Sequence, residues 1–228
     1  MLNYKRIPYK TEWIPFPDIA ATLQKLAVSP ISIDPDGNPL YTLPAIIDTS
    51  GDPPVIVTDS LSIAEYLDEK YSERPVLPKE SKALQYIFEE TFRRTVGPHF
   101  RKILIPHVWH LLDERSQGYF RETRERWNRR YGDGKLEEWS PEGPVRENHW
   151  ALLKNGFDTL AVILEKNGPG VTYVAGGTEP TRADMIIVAY LAWIVAATPE
   201  DWRNRVRHWN DGRWDRLWKI SEPWRVVH

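Results

Sequence analysis

The chain has 228 residues, with 30 Lys and Arg against 32 Asp and Glu, and a formal net charge of -2 at pH 7. This balance gives no global reason to bind nucleic acid or an anionic membrane. It contains no Cys, which excludes disulfides and thiolate metal sites and is compatible with a reducing intracellular compartment, so we expect a cytoplasmic protein.

The longest uncharged apolar run, from Met185 to Ala197, is too short to cross a bilayer and long enough for a buried helix. The length allows one large or two small domains.

The N-terminal third predicts alternating strands and helices. Residues alternate between apolar and polar from Tyr9 to Ile14, which predicts a strand with one buried face. A short helix is predicted over residues 18–27, and the Asp, Pro and Gly residues of segment 34–39 predict a turn.

A hairpin followed by a helix is predicted next. The turn residues of segment 48–54 are placed to join two strands near Ala45 and Val55. A helical pattern of apolar residues then covers residues 60–71, and the prolines of segment 74–78 end it. We therefore divide the chain into residues 1–77 and 78–228.

The second part is predicted to be entirely helical. A long helix over residues 80–115 is interrupted by Gly97-Pro98 and Pro106, which should kink or split it. Further helices are predicted over residues 118–131 and from about 144 to 167. Thr181 and Asp184 are placed to cap the most apolar helix of the chain.

Two short motifs in the first part predict a ligand site. Pro44 cannot donate to a sheet ladder, which places it at an edge or at a turn. Leu43 before it must be extended, and at a sheet edge its N–H and C=O are free to pair with another peptide. Asp59 and Ser60 stand where a strand ends and a helix begins, where they suit a ligand with an ammonium and a carboxylate. A free peptide carries both charges.

A purely structural interpretation exists for each motif. Asp and Ser commonly cap helices, Ser62 with Glu65 matches a capping box, and X-Pro is common at strand edges. The combination of both motifs in a strand, strand, helix order favours the ligand site.

Four segments, residues 7–13, 17–19, 39–46 and 57–60, resemble the cytosolic glutathione transferases. The resemblance is strongest to the fungal-specific class, FuA, related to bacterial β-etherases. It implies a thioredoxin-like N-terminal domain followed by an all-helical domain, and a homodimer. It also implies that Pro44 follows a cis bond, that Leu43 pairs with the cysteinyl backbone of glutathione, and that Asp59 and Ser60 hold its γ-glutamyl end.

The largest departure from that family lies at the start of the chain. In the family, a first strand and a turn with the catalytic Ser or Tyr precede the segment equivalent to Ile7, whereas six residues precede it here. We therefore expect the domain to lack its first strand, and we assign no catalytic residue. Tyr4 and Tyr9 lie outside the position of that turn.

The resemblance implies a transferase that conjugates glutathione to hydrophobic aromatic compounds, or cleaves them with it, in detoxification. The alternative is a non-catalytic, ligandin-type protein that binds aromatic small molecules.

Two further patterns were weighed as sites. His107 and His110 lie on a predicted helix without a third ligand, so we expect no metal. Tryptophans and arginines alternate between residues 202 and 224, a pattern that can bind single-stranded nucleic acid. The neutral charge balance favours instead a tail anchored on the helical domain, with Arg stacked on Trp.

Overall fold

The computed structural model describes residues 1–129, 132 and 134–227. The strands of this part are β1 (Ser32–Ile33), β2 (Pro39–Leu40), β3 (Ala45–Asp48) and β4 (Val55–Thr58), and the helices around them are α1 (Leu2–Lys5), α2 (Ile19–Lys25) and α3 (Ser60–Lys70). Helices then follow without strands: α4 (Lys82–Thr95), α5 (Gly97–Val108), α6 (Glu114–Asn128), α7 (Pro144–Leu164), α8 (Arg182–Ala197), α9 (Pro199–Asn204) and α10 (Arg213–Ile220).

The strands form two separate antiparallel ribbons. β1 pairs with β2, and the turn between them is closed by the Asp34 carboxylate, which accepts from the backbone N–H groups of Asp36 and Asn38 at 2.9 and 2.8 Å. β3 pairs with β4 from Ala45 opposite Thr58 to the far end of the hairpin. The predicted turn, hairpin and following helix are therefore confirmed.

The strand predicted over residues 9–14 is wrong. This segment is irregular, and neither ribbon lies beside it to supply ladder hydrogen bonds. Trp13, which the alternating pattern placed on a buried face, is 80% exposed. A period of two is sufficient for a strand only where a partner strand is available. In the described residues, no strand lies before Ser32.

The core of the helical domain lies between α4, α5, α7, α8 and the C-terminal segment. Its largest fully buried side chains include Phe100, Phe157, Ile187 and Trp214. The predicted break at Gly97-Pro98 is confirmed, because α4 ends at Thr95 and α5 begins at Gly97. Pro98 lies in the first turn of α5, where backbone N–H groups have no partner within the helix, so the missing N–H of proline costs no hydrogen bond.

Helix α8 begins with the predicted cap. The Asp184 carboxylate accepts from the backbone N–H and hydroxyl of Thr181 at 2.8 and 3.0 Å, and from Val174 N–H at 2.8 Å. Within the described residues, no single helix is long and apolar enough to span a membrane; α8 passes that test only jointly with segment 199–220, across a bend of 114°.

The aromatic tail is anchored on the helical domain, as predicted. Trp202, Trp209 and Trp214 are buried in the core, and Trp218 packs against it. The Arg225 guanidinium lies 3.4 Å from the centroid of the Trp218 ring. These rings are therefore committed to packing. The predicted helix over 118–131 corresponds to α6, and its last two residues lie outside the described part.

Polar contacts of α3 join the two parts of the chain. The Asp68 carboxylate pairs with the buried Lys5 ammonium at 2.7 Å and accepts from the N–H groups of Val76 and Leu77 at 2.9 and 2.6 Å. In turn, Arg182 N–H at the start of α8 donates to Val76 C=O at 2.7 Å. The connecting segment is thus bonded to both the N-terminal unit and the helical domain.

Candidate functional site

The register of the β3–β4 hairpin brings the two predicted motifs together. Ala45 lies opposite Thr58 in this antiparallel pair. This is the last pair of the ladder: Pro44 directly precedes Ala45 in the chain, and Asp59 directly follows Thr58 and caps α3. All four predicted site residues therefore lie at one end of the hairpin, although Leu43 and Asp59 are sixteen positions apart in sequence.

The Leu43–Pro44 bond is cis, and both residues are exposed. No backbone hydrogen bond of Leu43 to another described residue is present. Its N–H and C=O are therefore available to an extended peptide, as the sequence predicted.

Asp59 forms the N-cap of α3 in a backbone conformation that L-residues rarely adopt, with φ at +73°. Its Oδ1 accepts from the N–H groups of Leu61 and Ser62 at 2.9 and 3.0 Å, whereas Oδ2 has no hydrogen-bond partner among the described residues. The free oxygen is suited to an ammonium group.

This cap corrects two expectations. Ser62 lies inside the first turn of α3, and Glu65 pairs with Lys82 at 2.9 Å, so the two do not form a capping box. Two of the helix donors that we expected to bind a ligand carboxylate are occupied by Asp59. The N–H and hydroxyl of Ser60 remain as donors for it.

Ser60 is held by a side chain from the other domain. Arg182 donates to Ser60 C=O at 3.2 Å and to Ser60 Oγ at 3.4 Å. The same guanidinium forms a bidentate ion pair with Glu89, through Nη2 at 2.9 Å and Nε at 3.1 Å, and the Arg182 side chain is buried. Because Oγ accepts from Arg182, the hydroxyl hydrogen of Ser60 is directed away from it, and a positive charge lies beside the hydroxyl.

The sequence did not reveal this contact. Arg182 follows the cap residue of an apolar helix, and nothing in that pattern indicates a partner 122 positions earlier. One feature of the sequence could have indicated a buried ion pair: an arginine stands directly beside the most apolar segment of the chain. A cation that is buried in a core requires a carboxylate partner.

A large cleft opens beside Leu43 and Pro44, with a volume of about 2740 Å³. The segment from Ile7 to Phe16 lines one wall, and α5, α6 and α8 line the other. The helical wall carries four aromatic side chains that are not buried: Tyr119, Trp127, Tyr190 and Trp193. Asp59 and Ser60 do not line it.

The two hydroxyls near the start of the chain are engaged elsewhere. Tyr4 donates to the Glu179 carboxylate at 3.0 Å, and burial together with this bond raises the pKa of Tyr4 to about 12. Tyr9 donates to Val226 C=O at 2.9 Å. Because a thiolate is stabilised by a nearby donor, neither bond pattern suits the activation of sulfur.

Among the described residues, no group of three His, Asp or Glu side chains is placed to hold a metal. His107 instead contacts the Arg146 guanidinium at 2.9 Å. Burial and this cation lower the pKa of His107.

Two family models match the chain. The N-terminal domain of glutathione S-transferase matches residues 1–70, and the C-terminal domain matches residues 83–224. A glutathione S-transferase-like protein of Aspergillus flavus, ustS, is 32% identical over 98% of this chain and 81% of its own length.

Solved structures agree with this match. A glutathione S-transferase of Ceriporiopsis subvermispora, CsGST83044, solved in complex with glutathione, is 34% identical with a TM-score of 0.89, covering 97% of this chain and 87% of that one. Transferase GSTFuA3 of Phanerochaete chrysosporium is 32% identical with a TM-score of 0.88, covering 100% and 88%.

The chain therefore belongs to the cytosolic glutathione transferase superfamily, with its thioredoxin-like N-terminal domain and helical C-terminal domain. Within that superfamily it is of the FuA type.

Proposed function

We propose that this protein binds glutathione at the end of the β3–β4 hairpin and uses its sulfur on a hydrophobic aromatic compound in the adjoining cleft. The observation that carries the proposal is the last pair of the β3–β4 ladder, Ala45 with Thr58, because the unpaired backbone of Leu43 and the free Oδ2 of Asp59 lie at that end of the hairpin.

Each of the four residues has a distinct role in this proposal. The N–H and C=O of Leu43 pair with the cysteinyl backbone, and Pro44 fixes the direction of that strand edge. Asp59 Oδ2 accepts from the γ-glutamyl ammonium, while the N–H and hydroxyl of Ser60 donate to its carboxylate. The cysteinyl sulfur then points into the cleft, where its thiolate attacks an electrophilic carbon and the leaving group departs. No residue of this chain is assigned to sulfur activation.

The cleft suits an aromatic second ligand because its helical wall presents ring faces and edges. Both a conjugation and the cleavage of an aromatic ether or thioether by glutathione fit this arrangement. The second candidate function is non-catalytic, ligandin-type binding. It is favoured by the engagement of the Tyr4 and Tyr9 hydroxyls with other groups.

Isothermal titration calorimetry with glutathione tests the peptide site. Asp59→Asn keeps a capping side chain and removes the negative charge, and Ser60→Ala removes the donor hydroxyl. We expect each variant to bind glutathione about tenfold more weakly or worse. Ser29→Ala, which removes an exposed hydroxyl outside the cleft and the hairpin, is the matched control and should bind like the wild type.

Equal binding by all four proteins would overturn the peptide site. Turnover of 1-chloro-2,4-dinitrobenzene and of a β-aryl ether with glutathione separates the two functions. Glutathione-dependent product identifies a transferase, and binding of glutathione and aromatic ligands without product identifies the ligandin-type function.

Three further features belong to this proposal. The domain boundary lies between residues 77 and 78, and the protein acts in the cytoplasm, where glutathione is kept reduced. It forms a homodimer, which the exposed Leu84 and Ile87 side chains of α4 support, at 64% and 61% exposure. Light scattering of Leu84→Glu with Ile87→Glu should show a monomer if α4 lies in the interface.

A further inference from the structure

One arginine of the cleft wall has no acidic partner. Three other arginines of α6 form ion pairs: Arg115 with Asp18, Arg121 with Glu137 and Arg126 with Asp36. No ion pair of Arg124 is formed within the described residues. Its guanidinium instead lies 4.8 Å from the centroid of the Phe120 ring and 4.9 Å from that of Trp127.

A second unpaired arginine lies on the same helical wall of the cleft. Arg101 on α5 is exposed, lines the cleft and forms no ion pair with a described residue. Burial, together with the positive charge of Arg101, lowers the pKa of Arg124 to about 10. The positive charge of Arg101 thus acts on the partly desolvated Arg124, which disfavours the charged form of Arg124 unless an anion joins the two.

The acidic residues of the cleft do not supply that anion. They are Glu12, Asp34, Asp48, Glu73 and Asp113. Asp34 closes the β1–β2 turn, Asp48 pairs with Lys70 at 3.0 Å, and Asp113 caps α6. None of the five forms an ion pair with either arginine within the described residues.

We propose that Arg101 and Arg124 form an anion subsite for the carboxylate of an aromatic acid, whose ring lies against the aromatic wall of the cleft. This deepens the proposed function, because it rests on the cleft being the second-ligand site. The rings of Phe120 and Trp127 hold the Arg124 guanidinium in place. Its side chain therefore loses little conformational entropy when it binds a carboxylate. Ion pairing to a carboxylate would remove the repulsion between the two arginines.

A matched pair of probes tests the subsite. 2-Naphthoate and 2-naphthamide share the same rings and differ in charge. In calorimetric titrations of the full chain without glutathione, we expect naphthoate to bind about tenfold more tightly than naphthamide. Arg124→Met and Arg101→Met should each reduce this preference, and the double variant should abolish it. Arg129→Met removes a positive charge from the end of the same helix, outside the cleft, and should keep the preference.

Several results would overturn the subsite. The first is that the wild type binds naphthoate and naphthamide with equal affinity. The second is that the double variant keeps the full preference for naphthoate while its circular dichroism and thermal midpoint match those of the wild type. A third is weaker glutathione binding by Arg124→Met with naphthoate binding unchanged, which would assign Arg124 to a carboxylate of glutathione itself. Should Arg124→Met fail to fold, Arg124→Gln provides the same comparison.

Parallel glutathione titrations keep the two proposals separate. A wild-type chain that prefers naphthoate through the two arginines but does not bind glutathione would support the subsite and refute the glutathione site. The opposite pattern would refute the subsite alone.

Discussion

The helical domain and the N-terminal unit differ in where their stability resides. The helical domain has a large main core of aromatic and aliphatic side chains, many of them fully buried, and a second, smaller cluster around Phe120. The N-terminal unit has two short ribbons that do not join, and its buried side chains come mainly from α3 and the segments beside it. This division places the stable packing in one part and leaves exposed backbone and polar atoms in the other, beside the cleft.

The largest effect on stability is expected from a variant that creates a cavity in the helical core. Phe157 is fully buried and contacts the rings of Phe92, Trp209 and Trp214. We expect Phe157→Ala to lower the free energy of unfolding by about 3–5 kcal/mol, measured by urea denaturation. Leu43→Ala, at a side chain that is 40% exposed, should lower it by less than about 0.5 kcal/mol. Similar losses in the two variants would break the comparison.

A second test concerns the contact between the parts. Arg182→Met removes the ion pair with Glu89 and both hydrogen bonds to Ser60. Because the Arg182 side chain is buried and Glu89 retains some solvent, we expect a loss of about 2–3 kcal/mol in stability. Glutathione affinity should fall several-fold as Ser60 loses its support.

Lys154→Met is the control for that variant. It removes the exposed ion pair with Asp158 on α7, and the unfolding midpoint should stay unchanged. If Arg182→Met retained the wild-type affinity for glutathione, Arg182 would serve only the domain contact.

The same division explains what could be predicted from the sequence. The helix-period pattern of α3, the apolar run of α8, the Gly97-Pro98 break and the Thr181 cap were predicted because each depends on residues close in the chain. The strand at residues 9–14 was predicted wrongly because pairing depends on distant backbone. For the same reason the contact of Arg182 with Ser60 was not foreseen. The X-Pro and helix-start motifs, together with the family resemblance, did predict Leu43, Pro44, Asp59 and Ser60 as candidate site residues.

A smaller effect on stability is expected at Tyr4 of α1, whose hydroxyl bonds to Glu179 of the helical domain. Tyr4→Phe removes the hydrogen bond to Glu179 and should lower stability by about 1 kcal/mol at neutral pH. The pKa of Tyr4 is raised from 10.0 to about 12 in the folded protein, so its contribution is complete below pH 10 and is lost as pH rises through about 12. Urea denaturation of both proteins at neutral pH and at about pH 12 should therefore show their difference shrinking. A constant difference would mean that the hydroxyl does not titrate in this way.

The smallest effect on stability is expected at Arg124, although it lies in the helical domain. Its folded-state pKa, about 10, lies below the usual 12.5, so the charge opposes folding at neutral pH, and this penalty declines only as pH rises above 10. Arg124→Met removes that penalty but also the contacts with two rings, so stability should change by about 1 kcal/mol or less.

An excess of 2-naphthoate should then raise the thermal midpoint of the wild type more than that of Arg124→Met, since only the wild type offers the cation to the ligand. A large loss of stability in Arg124→Met without ligand would mean that the arginine belongs to the packed core, and the division between a stabilising core and a binding wall would not extend to α6.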